Sequence, residues 1–323
     1  MSRKLLVLLT LIAFMAAAYL LFRQNFDSRL FFESFTNVRP IWLVASIALT
    51  FVNYFMRALR WQILLISMKL IKMTSLVGAT ILGFGVIYLL GRAGEFARPV
   101  WLARREGIAI AGSLATIVVE RILDTLMLIM LFAATVEVVQ AETNAQREFE
   151  LLTTSVWLLL ALSMIAFLTF ILFRAHLSSI VRHIPSKQLS ATIEQFAGGL
   201  AITGNWSNLS LTTVYSLMLW LGIALQFWLM LIGLNLELTF REATLLLVGS
   251  ALGSIAQVPG IGGGFQAAFI FCLTTFFLVP IETAAGASLV AWFFTVAPTI
   301  VVAATYMTWK GISARDLISS EPA

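Results

Sequence analysis

Gly91-Arg92-Ala93-Gly94-Glu95-Phe96-Ala97-Arg98-Pro99 interrupts an apolar stretch, and the way the chain passes through it decides the fold. Residues 74–90 before it carry no charge, whereas Arg92, Arg98, Arg104 and Arg105 follow within a few turns. A crossing over 74–90 would place those arginines outside, against the rule that basic loops stay cytoplasmic. The alternative is a re-entrant hairpin over 74–106 that enters from the cytoplasm, turns near Gly91–Gly94 and returns. Pro99 disfavours α geometry at Arg98, so the pattern predicts a non-helical tip over 91–98 and a helix resuming at Pro99. Non-helical backbone at membrane depth is tolerated only where it is buried or lines a water-filled cavity.

The composition sets the wider frame. Of 323 residues, 60% are apolar and 11% charged, and the mean hydropathy is +0.95. Soluble domains are about 45–50% apolar and about 25% charged, so a soluble enzyme, a nucleic-acid-binding domain and a disordered chain are excluded. The net charge of +5 reads as membrane topology and not as affinity for nucleic acid. Cys272 is the single cysteine, which leaves no intramolecular disulfide and no thiol metal site. Apolar segments fall at 4–22, 41–57, 74–90, 108–136, 153–173, 209–233, 243–258, 265–279 and 281–309.

Charges orient these segments. Ser2-Arg3-Lys4 places the N-terminus inside, before an uncleaved first helix. Arg57, Arg60, Lys69 and Lys72 make the next cytoplasmic loop, with Arg57, Arg60 and Trp61 as a helix-end anchor that can touch headgroups. Glu137, Glu142, Glu148 and Glu150 mark an outer loop, and Arg174, Arg182 and Lys187 an inner one. Leu189, Ile193, Phe196 and Leu200 share one helical face, predicting an interfacial amphipathic segment. Pro259-Gly260-Ile261-Gly262-Gly263-Gly264 breaks 243–279 into a second hairpin, entering from outside, and Pro280 starts the last helix.

The expected fold is an all-α polytopic membrane protein with about six transmembrane helices plus two oppositely oriented re-entrant helical hairpins, forming an inverted repeat. Residues 1–323 form a single membrane domain: 1–40 an N-terminal helix, 41–136 the first repeat, 137–208 a connecting helix and the amphipathic segment, 209–309 the second repeat, and 310–323 a cytoplasmic tail. Paired Gly/Pro-interrupted segments in corresponding halves point to a transport site.

Glu120, Arg121 and Asp124 sit in the middle of 108–136. Unpaired at mid-bilayer they would cost about 8–10 kcal/mol together, so they must face protein or water. Their i,i+4 and i,i+3 spacing puts them on one side of a helix. Arg92, Glu95 and Arg98 supply a second set, and the two sets together are neutral. In this scheme Arg121 holds Glu120 and Asp124, and the network is either a static lock or a polar cavity for a charged ligand. Arg92 and Arg98 suit a phosphate. The glycines Gly94, Gly260, Gly262, Gly263 and Gly264 would let backbone approach the ligand, with Gln266 beside them. His176 and His183 have no metal-ligand pattern, and no catalytic motif is present, so neither metal, cofactor nor enzymatic activity is expected.

With these motifs in order, Gly91-Arg92-Ala93-Gly94-Glu95 … Arg98, Glu120-Arg121 … Asp124, Arg60-Trp61 and the Pro-Gly-rich 259–264, the sequence resembles the flippase-like membrane domain of lysylphosphatidylglycerol synthases over roughly 10–310. The resemblance implies translocation of a phospholipid, sometimes an aminoacylated one, between leaflets. Two positions depart from the family pattern. Gln266 stands where a glutamate is common, and Ala291-Trp292-Phe293 carries no arginine. The aminoacyl-transferase domain of the full-length synthases is not found in the sequence. The expected function is a phospholipid flippase or transporter in a bacterial inner membrane, both termini cytoplasmic, with membrane phospholipids as partners and no nucleic acid. The alternative is a membrane scaffold or regulatory partner of a lipid- or envelope-synthesising enzyme. Oligomeric state is left open.

Overall fold

The computed structural model describes residues 26–140, 146–181, 186–200, 204–258 and 262–312. Among them, α1 (Ser28–Thr36) begins at an Asp27 cap whose carboxylate accepts from the Arg29 amide at 2.8 Å. The Asp27 amide in turn donates to Glu282, tying α1 to the start of the last helix. α2 (Pro40–Leu65) opens on a proline at its first position, where the missing N–H is no loss. It runs to Leu65, well past the expected end at 57, so Arg57, Arg60 and Trp61 belong to the helix body and not to a loop.

α3 (Met73–Leu90), a 3-10 stretch (Gly91–Phe96) and α4 (Ala97–Glu106) form the first hairpin. The outgoing arm is 18 residues, about 27 Å. The return arm is six 3-10 residues and ten helical ones, again about 27 Å. Lys69 Nζ closes the base at 3.1 Å from the Glu106 carboxylate, so the chain comes back to the level where it left. Glycines set the spacing between the arms. A Cβ on Gly94 would meet the Ile87 backbone nitrogen at 2.7 Å, and one on Gly83 would meet Arg98 Cβ at 2.6 Å. The predicted non-helical tip is corrected in detail: Gly91 turns the chain at φ 69, the tip winds as 3-10, and the helix restarts at Ala97. Pro99 then falls in the first helical turn, where its missing donor costs nothing.

α5 (Ile110–Gln140) carries the buried charges, and α6 (Gln146–Val181) follows it. α7 (Lys187–Gly199) is the amphipathic segment, capped by Ser186. Ile193 and Phe196 pack toward the core and Leu200 is buried, whereas Leu189 is exposed. The segment lies against α5, with Gly199 in backbone contact with Gly112. α8 (Trp206–Gly233) is capped by Asn205. α9 (Phe240–Gly253), opened by a Thr239/Glu242 capping box, and α10 (Gly264–Phe276) form the second hairpin. Gly253 touches Gly264 and Ala268, and a Cβ on Gly249 would meet Cys272 Sγ at 2.5 Å. At its tip β1 (Gln257–Val258) pairs antiparallel with β2 (Gly262–Gly263), a two-residue ribbon that the all-helical expectation did not contain. Gly260 lies outside the described residues. α11 (Ile281–Lys310) starts directly after Pro280, as expected.

The order long helix, hairpin, long helix thus occurs at α2–α5 and again at α8–α11, and the packing is reciprocal. α2 lies along α8, α5 packs on α9 of the second hairpin, and α11 packs on α3 of the first. Two apolar cores result. One gathers Trp61, Leu64, Leu76, Leu102 and Leu123 around the first hairpin. The other gathers Phe132, Phe227, Leu245, Phe269 and Ala291 around the second. Three helices, α2, α8 and α11, are long and apolar enough to cross a membrane by length and composition. The chain is an integral membrane protein built of helices.

Candidate functional site

Glu120 and Asp124, one turn apart on α5, are both buried between the two cores. Arg60 from α2 is fully buried and bridges them. Its Nη1 donates to Asp124 Oδ1 at 2.6 Å and to Ser216 Oγ at 3.1 Å, and its Nη2 donates to Glu120 Oε1 at 3.0 Å. Arg98 from the first hairpin donates to Glu120 Oε2 at 2.6 Å, so both oxygens of Glu120 are charge-paired. Its guanidinium lies 4.0 Å over the Trp61 ring, a geometry that stabilises a cation out of water. The indole N–H of Trp61 is held by Thr116 at 2.9 Å. Asp124 also accepts from Trp220 Nε1 at 3.0 Å, with Arg121 at 3.3 Å and Arg57 at 3.8 Å. Burying ions costs several kcal/mol each, and this arrangement offsets it by giving each carboxylate short charge-assisted bonds.

Two expectations are corrected here. Arg57 and Arg60 are not a helix-end anchor. α2 continues past them, and Asn53, Arg57, Arg60 and Leu64 form a stripe on the helix with Arg60 aimed at α5. Nor is Arg121 the residue that holds the two acids. Its side chain is 43% exposed and makes one ion pair, while Arg60 contacts both carboxylates.

Beside the network is a cavity of about 290 Å³. Both hairpins line it: Glu95 and Arg98 from the first, Leu247, Ser254 and Phe265 from the second. Their tips touch, through β1 and the 3-10 stretch. Arg121 projects from α5, Phe84, Ile87 and Tyr88 from α3, Ile223, Gln226, Phe227 and Met230 from α8, and Trp292, Thr295 and Val296 from α11. Of the residues singled out from sequence, Glu95, Arg98 and Arg121 therefore face the cavity, and Glu120, Asp124, Arg57 and Arg60 lie behind it. Gly94 packs on α3, Gly262 and Gly263 form the ribbon, and Gly264 closes on Gly253. Gln266 is half-buried, next to the cavity-lining Phe265. The backbone of Arg92 is in the 3-10 stretch; its side chain lies outside the described residues.

Sequence reasoning missed Ser216, Trp220 and Gln226. Gln226 accepts from Asn53 Nδ2 at 2.9 Å between α8 and α2. The signal available was a polar residue recurring inside an apolar span.

A family model described as the lysylphosphatidylglycerol synthase TM region matches residues 5–303. The chain belongs to this family. The matched span holds both hairpins, the Arg60–Glu120–Asp124 cluster and the cavity, so the whole site falls within the family's TM region. Membership makes it a membrane domain with a lipid-related role. Comparison with curated proteins and with solved structures gives no match.

Proposed function

We propose that the chain is a lipid transporter that moves a phospholipid between leaflets through the cavity where the two hairpin tips meet. The observation that carries this reading is the make-up of that cavity, with guanidinium groups of Arg98 and Arg121 set among Phe84, Tyr88, Phe227 and Trp292. Trp292 is also part of the wall of a second, mostly apolar groove of about 520 Å³ bordered by Phe35, Val38, Leu289 and Phe293. A polar place and an apolar place that share a wall suit an amphiphile better than a small solute. A scaffold would have use for the paired network but none for the cavity beside it.

In this reading both hairpins are re-entrant, entering from opposite sides, and the two halves are inverted repeats. About six helices cross, both termini face the cytoplasm of a bacterial inner membrane, and 137–150 and 235–242 lie outside. Opposed hairpins could then open alternately around one central site. No covalent chemistry is involved. The test is inter-leaflet transfer of a fluorescent phospholipid in vesicles containing the purified chain, with empty vesicles and a correctly folded Arg98→Ala variant beside it. Transfer above empty vesicles that falls in the variant supports the reading. Wild-type vesicles that transfer no member of a broad phospholipid panel would sink it.

A further inference from the structure

Among the described side chains, the charges around the cavity do not cancel. Among the described residues, four guanidinium groups, Arg57, Arg60, Arg98 and Arg121, meet three carboxylates, Glu95, Glu120 and Asp124. One positive charge is left over. It is placed on the cavity side: Arg60 is enclosed by its two acids, whereas Arg98 and Arg121 both border the open space. Arg98 is only 5% exposed, and the buried Nε atoms of Arg60, Arg98 and Arg121 all lack a hydrogen-bond partner, but of the three arginines only Arg98 and Arg121 border the cavity. Arg121 spends its one ion pair on an Asp124 that Arg60 and Trp220 already satisfy. A guanidinium has five donors in a fixed plane, and one at a cavity wall that spends only a single ion pair has donors left for an anionic acceptor.

Resting on the transport reading, we infer that the ligand of this cavity is a phosphodiester of net charge −1, held by Arg98 and Arg121, and that a headgroup of net positive charge is refused. A monoanion leaves the described set of side chains neutral. A zwitterionic headgroup leaves one uncompensated charge, and a lysylated glycerol phosphodiester, net +1, leaves two. The chain would therefore differ from what its family's name suggests, handling the anionic lipid and not its lysylated product. The same anion could come from a lipid headgroup or from a free phosphodiester, and the two sources are separable.

The experiment measures binding to the purified full chain in neutral detergent by thermal-shift titration. The four ligands are phosphatidylglycerol, phosphatidylethanolamine, lysylphosphatidylglycerol and soluble glycerophosphoglycerol. Phosphatidylglycerol is expected to bind at least about tenfold tighter than the zwitterionic and cationic lipids, and Arg121→Gln to remove about tenfold of that, one charge-assisted bond. Arg121 is half-exposed with a single ion pair, so the variant folds, and Arg121→Lys recovers part of the affinity. Equal or tighter binding of lysylphosphatidylglycerol or phosphatidylethanolamine, no binding at all, or an Arg121→Gln that binds as wild type would overturn the inference; the first and last leave lipid transport standing. Glycerophosphoglycerol binding as tightly as the lipid keeps the anion and removes the lipid.

Discussion

Arg60→Met tests whether the buried network is what holds the two halves together. The substitution keeps most of the volume and removes three donated bonds at once, to Asp124, Glu120 and Ser216. Glu120 keeps Arg98 on one oxygen only, and Asp124 keeps Trp220 and the longer contacts from Arg121 and Arg57. Breaking a buried pair by removing one partner costs about 3–5 kcal/mol, because the remaining charge is left in a low-dielectric site. At roughly 2–4 °C per kcal/mol, the melting temperature should fall by roughly 6–20 °C. Arg121→Met is the internal control. Its lost contact is 3.3 Å long and its side chain 43% exposed, so solvent screening limits the loss to about 1 kcal/mol or less. The assay is tryptophan-fluorescence unfolding in detergent, with size-exclusion profiles to confirm folded starting material. Pairing Arg60→Met with Asp124→Asn should cost less than the two singles added, since the second change removes the charge that the first leaves unpaired. An Arg60→Met loss no larger than that of Arg121→Met would refute the reasoning.

Two further outcomes follow from the hairpins. Gly94→Ala puts a Cβ 2.7 Å from the Ile87 nitrogen and 2.8 Å from its Cα, so the arms must separate; the expected destabilisation is about 1–3 kcal/mol, and unchanged melting would show that the tip is not tightly packed. Because Lys69 bridges to Glu106, single cysteines replacing Lys69 and Arg104 should be labelled from the same side of intact cells; labelling from opposite sides would make the first hairpin a crossing.

Much of the architecture was legible because the bilayer imposes strong rules on charge. The loop around Gly91–Gly94 reads as a chain reversal from the run of basic residues Arg92, Arg98, Arg104 and Arg105 in and after it, and the Lys69–Glu106 bridge agrees with a reversal. Glu120 and Asp124 were legible as a buried pair because a bilayer tolerates charge at mid-helix only against protein or water. Their true partner was hidden by the same logic. A basic residue near the end of an apolar run looks like a cytoplasmic flank, and Arg57 and Arg60 fit that pattern. Only the continuation of α2 to Leu65, with Trp61, Leu64 and Leu65 buried, moves them inside. The 3-10 tip escaped because Pro99 reads as a helix start, whereas proline tolerates the rest of the first turn equally well. The aromatic wall escaped because Phe84, Tyr88 and Trp292 in apolar helices look like ordinary lipid- or core-facing residues; nothing in their spacing says that they surround a space.

The charged layer separates into two kinds of residue. Arg60, Glu120 and Asp124 are buried, paired with one another and absent from the cavity wall, so they bear on stability. Among the described residues, Arg98 and Arg121 each make one ion pair and, unlike Arg60, reach the cavity. Arg98 stands between the two kinds, since it pairs with Glu120, stacks on Trp61 and lines the open space. The distinction is physical, because a guanidinium has five donors in a fixed plane, and those not spent on carboxylates remain for an incoming anion. It also makes the functional and structural claims independently testable. Changes at Arg60 should move melting temperature most, changes at Arg121 should move ligand affinity with little effect on melting, and changes at Arg98 should move both. A set of variants in which affinity and melting temperature fall together at every position would show that the cluster is one structural lock and that the cavity is incidental to it.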